Sequence, residues 1–142
     1  MSSLSTKRVF CQVNRVLKKD GTFLFSLDHP FYLLINPISK KLVASYFATG
    51  RHEFVETGKD KTKHKFVYYR IKLSDIYNVL IETGFSVEKI LEPLSLNKKQ
   101  GAWKKGPWKK IYPEETVKFI GPTIIFKAKK RNVCRQVLNK KL

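Results

Sequence analysis

The sequence predicts an α/β fold in a single domain, on three observations. Apolar residues recur at helical spacing over 6–18 and again over 73–83, the pattern of helices with one buried face. Each segment ends in a turn signal and passes into a short apolar run, 22–27 and 86–91. A third run, 123–129, holds Ile124, Ile125 and Phe126 in succession, as a strand flanked on both sides does. The 142 residues allow one domain, and a hydrophobic content of 42% is enough for a packed core, which excludes a disordered chain.

The elements follow in order. Val9, Phe10, Val13, Val16 and Leu17 form the apolar face of the first helix. Lys18 and Lys19 come where a helix C-terminus favours cations. Asp20-Gly21 makes the turn, with Gly21 free to take positive φ. Thr22 to Leu27 reads as a strand buried on both faces. Asp28-His29-Pro30 then sets polar groups at its carboxyl end, the edge where open α/β sheets bind ligands. The connection that follows holds a turn over 36–41 and a short helix from Lys41 to Phe47. Strands over 51–56 and 64–70 come next, joined as a hairpin by the polar loop 58–63. In the second helix Leu73, Ile76, Tyr77, Leu80 and Ile81 share a face, and Ser74 and Asp75 suit its first turn. Gly84 is placed for a left-handed cap with Phe85 packing back. Pro93 ends the strand 86–91, a second long connection covers 94–122, and 131–142 is a basic tail.

Several of these segments closely resemble the end of the class I S-adenosylmethionine-dependent methyltransferase domain. The residues that carry the likeness are Arg15-Val-Leu-Lys18, Gly21, and Ser26-Leu-Asp-His-Pro-Phe31. Downstream, Arg70-Ile-Lys-Leu-Ser-Asp75, Leu80-Ile-Glu-Thr-Gly-Phe85, Val87-Glu-Lys-Ile-Leu-Glu-Pro93 and Gly121-Pro-Thr-Ile-Ile-Phe-Lys-Ala-Lys129 continue it in the family's order. The resemblance implies a partial Rossmann-like methyltransferase fold over residues 1–130, made of the last three strands of the sheet and flanking helices. It places a substrate-covering region at 29–72, a flap at 94–122 and the last strand antiparallel between the other two. The family holds its cofactor through a Gly-rich turn and an acidic residue in the first half of the domain. No Gly-x-Gly-x-Gly occurs here, and the seven glycines stand singly. The resemblance therefore implies S-adenosylmethionine as cofactor of the intact parent. This chain, the C-terminal half, is expected neither to bind it nor to methylate alone.

Candidate site residues gather at the end of the 22–27 strand. His29, held extended by Pro30, is a pocket-lining residue and a weak candidate for a catalytic base. Its structural alternative is a ring that caps the strand end. Asp28 either accepts a proton and positions substrate or bonds nearby backbone N–H groups. Phe31, Tyr46, Tyr69 and Arg70 are candidates for the substrate pocket, against core or lid packing. In the family a His often stands where Tyr69 stands. Trp108, with Tyr112-Pro-Glu-Glu115, resembles a flap over the pocket rim. The alternative for Trp103 to Tyr112 is base stacking with phosphate contact on single-stranded nucleic acid.

The charge of 29 basic against 11 acidic residues, net +18, implies attraction to polyanions. A lysine-rich solvated surface accounts for it more simply. Three functions stand: a methyltransferase acting on a small molecule, one acting on RNA, and a non-catalytic nucleic-acid-binding module. No hydrolase, kinase or zinc motif is present. No apolar run reaches the roughly 20 residues of a membrane helix. Cys11 and Cys134 read as two separate thiols, pointing to a reducing cytoplasm. A strand over 22–27 without its family neighbour would expose an edge. Self-association and assembly with a separately encoded N-terminal half both follow as expectations.

Overall fold

The computed structural model describes residues 3–36, 39–58, 60–93 and 112–134. Helix α1 (Ser3–Val16) leads through a tight turn into β1 (Thr22–Asp28). A single 3-10 turn (Tyr32–Leu34) precedes the hairpin β2 (Gly50–Thr57) and β3 (Lys63–Arg70). Helix α2 (Leu73–Glu82) runs into β4 (Phe85–Leu91). One short turn of helix, α3 (Glu114–Val117), precedes β5 (Thr123–Lys130). The sheet has the order β1-β5-β4 with β5 antiparallel to both neighbours, and β2–β3 form a separate two-stranded sheet. The expected last strand is thus the central one.

Both helices cover one face of the sheet. Phe10 of α1 and Ile76, Val79 and Leu80 of α2 pack on Phe85, Ile124, Phe126 and Ala128. Phe10 meets the Phe23 and Phe25 rings at 5.6 and 5.3 Å, and Phe25 stacks on Phe126 at 5.1 Å. Strand β1 departs from its expected double burial. Phe23, Phe25 and Leu27 face the helices, while Thr22, Leu24, Ser26 and Asp28 lie on the open side, where Leu24 is 65% exposed. Side chains alternate along a strand, and Leu24 is the one apolar residue among the outward four.

A polar junction joins the layers. Asn14 of α1 is fully buried. Its Nδ2 donates to the carbonyls of Thr83 (2.9 Å) and Asn132 (2.8 Å), and its Oδ1 accepts the Cys134 N–H (3.1 Å). Gly84 ends α2 at φ +87°, as expected. Its carbonyl accepts the N–H groups of Arg131 and Asn132, and a Cβ there would come 2.3 Å from the Asn132 oxygen. Lys130 donates to the Asn14 and Leu17 carbonyls at 2.6 and 2.8 Å, complementing the negative end of α1. The buried stripe of α1 therefore runs through Thr6, Phe10, Cys11 and Asn14, and leaves Val9 and Val16 exposed.

Four further expectations are corrected. In the α1–β1 turn Asp20, not Gly21, takes positive φ; Gly21 is required because a Cβ would lie 2.9 Å from the Lys18 carbonyl oxygen. Residues 41–47 form no helix: Leu42 bridges Ile35 across the 36–41 turn, and the next residues run on in turns. On α2, Tyr77 and Ile81 are exposed, and Val79 takes their place in the core. Cys11 and Cys134 are joined in a disulfide, because the return of the chain after β5 brings their Cα atoms to 5.4 Å. That pairing removes the argument from separate thiols to a reducing compartment. Among the described residues no helix is long and apolar enough to cross a membrane. Trp108, most of the 94–122 flap and residues 135–142 lie outside the described residues.

Replacing Asn14 with Ala removes the side-chain partner of the buried Thr83 carbonyl and of the part-buried Asn132 carbonyl and Cys134 N–H. We expect a loss of at least about 3 kcal/mol of unfolding free energy in urea melts, at about 1 kcal/mol or more per group. Arg15→Ala, one residue along on the exposed face, should stay within about 0.5 kcal/mol of the parent.

Candidate functional site

The carboxyl end of β1 opens on a cleft of about 360 Å³. Thr6, Val9 and Phe10 of α1 form one wall, consecutive residues of β1 up to Asp28 form the floor, and Tyr68 and Tyr69 of β3 form the far wall. The lining is mostly apolar. Among the described residues Asp28 is its only carboxylate, and no Lys or Arg lines it. Thr6 is buried, and its Oγ1 has no hydrogen-bond partner among the described residues.

Asp28 is the last residue of β1, and partial burial raises its carboxyl above the ordinary value. Two tyrosines form a cluster with it. Burial raises the Tyr112 hydroxyl, and the charge of Asp28 adds to this. Tyr32 packs on Tyr112 with ring centroids 5.7 Å apart, and burial, then Tyr112, pushes its hydroxyl up to about 12.

His29 does not line the cleft. It is buried, its Nδ1 accepts the Phe31 N–H (3.2 Å), and its Nε2 lies 2.9 Å from a Glu92 carboxylate oxygen. With Nδ1 accepting, the ring proton of the neutral form sits on Nε2 and is donated to Glu92. The His29 N–H bonds the Pro122 carbonyl (2.8 Å), so the residue ties β1 to the segments after β4 and before β5. Phe31 stacks on Tyr46 at 4.6 Å, and the Tyr46 hydroxyl accepts the Leu73 N–H (2.8 Å), serving as the N-terminal cap of α2. Arg70 donates to the Tyr68 hydroxyl (2.9 Å) and lies over that ring, while its Nε is buried with no partner among the described residues.

Of the residues singled out in the sequence, Asp28 and Tyr69 meet in the cleft. His29, Phe31 and Tyr46 pack beside it, Arg70 reaches it through Tyr68, and Trp108 lies outside the described residues. Thr6, Tyr32 and Tyr112 were not among the pocket candidates. Their signal is weak, since a Thr in a polar leader and two tyrosines 80 positions apart in sequence share no local pattern.

The described residues at the strand end do not form a cradle for S-adenosylmethionine. Among the described residues no Gly-rich turn joins a strand to a helix, since β1 passes into a 3-10 turn. The His29 and Phe31 amides at the strand end are already bonded. No three of His, Cys, Asp and Glu come together to hold a metal ion among the described residues.

The raised Asp28 carboxyl lowers stability wherever the unfolded chain ionises more readily. Its stabilising share is complete below 3.8 and is lost as pH rises through the folded value. Asp28→Asn should therefore raise the unfolding free energy at neutral pH and leave it unchanged in acid below 3.8. Tyr32 obeys the same sign at the other end of the scale. Tyrosinate absorbance should show one group that ionises near 12 rather than 10.0, with stability falling across that window, and Tyr32→Phe should remove both.

No protein-family model matches the chain, and no curated protein matches it. Solved structures do. A protein from Listeria monocytogenes assigned as an S-adenosylmethionine dependent methyltransferase aligns with a TM-score of 0.58 at 17% identity, over 89% of this chain and 55% of that one. An S-adenosylmethionine dependent methyltransferase from Mesorhizobium loti aligns with a TM-score of 0.55 at 20% identity, over 87% and 54%. The chain thus has a methyltransferase-like α/β fold and spans just over half the length of the solved structures that it matches.

Proposed function

We propose that this chain is the C-terminal half of an S-adenosylmethionine-dependent methyltransferase whose acceptor is a small molecule. The observation that carries the reading is the fold likeness, which takes in 89% of this chain and only 55% of the neighbour. In this reading β1, β5 and β4 are the end of a longer sheet, and the cleft at the carboxyl end of β1 belongs to the acceptor. Its apolar walls exclude water from an acceptor body, and Asp28 takes a hydrogen bond from the acceptor's nucleophile and so fixes its direction. Methyl transfer gains most from such alignment. A carboxylate kept at a cost in stability suits a functional role better than a packing one. The cofactor supplies the methyl group when bound, and its binding belongs to the other half of the domain.

RNA as the acceptor is the second reading, favoured by the net charge of +18. The cleft favours the first reading, since none of the described residues that line it is a cation to meet a phosphate.

Calorimetry with the purified 142-residue chain should show no S-adenosylmethionine binding in the micromolar range. Micromolar affinity would mean that cofactor contacts reside in this chain, and the reading as a half-domain would fall.

A further inference from the structure

We infer that the cleft at the carboxyl end of β1 takes an organic amine, a small molecule with an apolar body whose ammonium group sits against Asp28. The inference names the class of acceptor, and so rests on the reading of the cleft as an acceptor site. It concerns binding and includes no transfer step. The described residues that line the cleft offer a ligand one negative charge and no positive one. The other polar side chains among them are hydroxyls, of Thr6, Ser26, Tyr68 and Tyr69, which accept hydrogen bonds as well as donate them. The Tyr68 hydroxyl is taken by Arg70 (2.9 Å). The Thr6 hydroxyl is buried and has no partner among the described residues, so an N–H of a ligand finds an open acceptor there.

Asp28 stands apart from most carboxylates of this chain. Asp20, Asp75, Glu82 and Glu88 each hold a Lys or Arg nitrogen within 3.4 Å. No cation pairs with Asp28 among the described residues, and it stays open to solvent at the mouth of the cleft. Partial burial alone raises its carboxyl, with no opposing pull from a cation. The groups that face it are the Tyr112 hydroxyl and, next to that, Tyr32, and burial keeps both of them neutral at ordinary pH. An ammonium placed here meets an unshared carboxylate and opposes the effect of burial on it.

The walls set the rest of the ligand. Val9 and Phe10 on one side and Leu33, Ile71 and Tyr69 on the other give it apolar surface. The volume of about 360 Å³ lies at the lower end of the range for small-molecule sites, about 300–1,000 Å³. Tyr69 keeps 43% of its surface open, and an aromatic ring beside a cation adds attraction where water is excluded. The whole chain pulls the other way, since a net charge of +18 draws anions and repels cations. A preference for an amine is therefore a property of the cleft itself, opposite in sign to what the surface charge alone would give.

The test titrates the purified 142-residue chain, followed by amide NMR shifts at physiological salt and neutral pH, with phenethylamine, phenethyl alcohol and hydrocinnamate. The three share one apolar body and differ in carrying a cation, a neutral hydroxyl or an anion. Phenethylamine should shift the amides of Ser26, Leu27 and Asp28 and bind at least about fivefold tighter than the alcohol. Hydrocinnamate should bind weakest. Asp28→Asn should bring phenethylamine down to the level of the alcohol. The alcohol should bind this variant as it binds the parent, which reports that the cleft is still formed. If the alcohol matches phenethylamine and shifts the same amides, the amine is overturned while the cleft stands as an acceptor site. If none of the three binds, or the shifts fall away from the end of β1, the amine and the acceptor cleft fall together. Tighter binding of hydrocinnamate, or a preference for phenethylamine that survives Asp28→Asn, would also overturn the inference. None of these outcomes touches the half-domain reading, which the cofactor calorimetry tests separately.

Discussion

The architecture depends on the side chain of Asn14. One amide group in the middle of α1 holds the last turn of α2 and the chain after β5, two segments that are far apart in sequence. A buried polar group is costly when unpaired and specific when fully paired. All three bonds are made here, one to the end of α2 and two to the chain after β5. Gly84 completes the junction because only a residue without Cβ lets the Asn132 carbonyl come so close. Lys130 then closes the carboxyl end of α1. Together these contacts set both helices on one face of β1-β5-β4, with β5 in the centre.

Among the described residues the sheet is dressed on one face and open at one edge, which has consequences for function. The strand with the chemistry, β1, lacks an outer neighbour among the described residues. Its carboxyl end bears Asp28, its outer edge lines the cleft, and the β2–β3 hairpin supplies the opposite wall. His29 anchors this end rather than serving the cleft, since both of its ring nitrogens are engaged in holding Phe31 and Glu92.

The parts of the fold visible in the sequence were those set by local rules. The two helices, the hairpin, the cap at Gly84 and the central place of 123–130 all follow from spacing, turn residues and apolar runs. What escaped was set by contacts distant in sequence. Apolar spacing alone finds Phe10, Val13 and Leu17 on the inner face of α1, but it passes over buried Asn14 and Thr6 and takes in exposed Val9 and Val16. The two cysteines stand 123 positions apart, and no spacing rule joins them. Leu24 made a half-exposed strand look buried on both sides. At the site, Asp28 was legible because a strand end marks it. The tyrosine pair was not, because Tyr32 and Tyr112 come together only through the folded chain.

The central claim is that β1 ends this sheet as the chain folds by itself. Solution NMR of the 142-residue chain tests it through the short Hα–Hα contacts of antiparallel strands. The account requires such contacts for Leu24 with Lys127 and for Ser26 with Ile125, the partners across from them in β5, and none from β1 to any other segment of the chain. Contacts from both sides of β1 within one molecule would contradict it, because the sheet would then be complete without a partner.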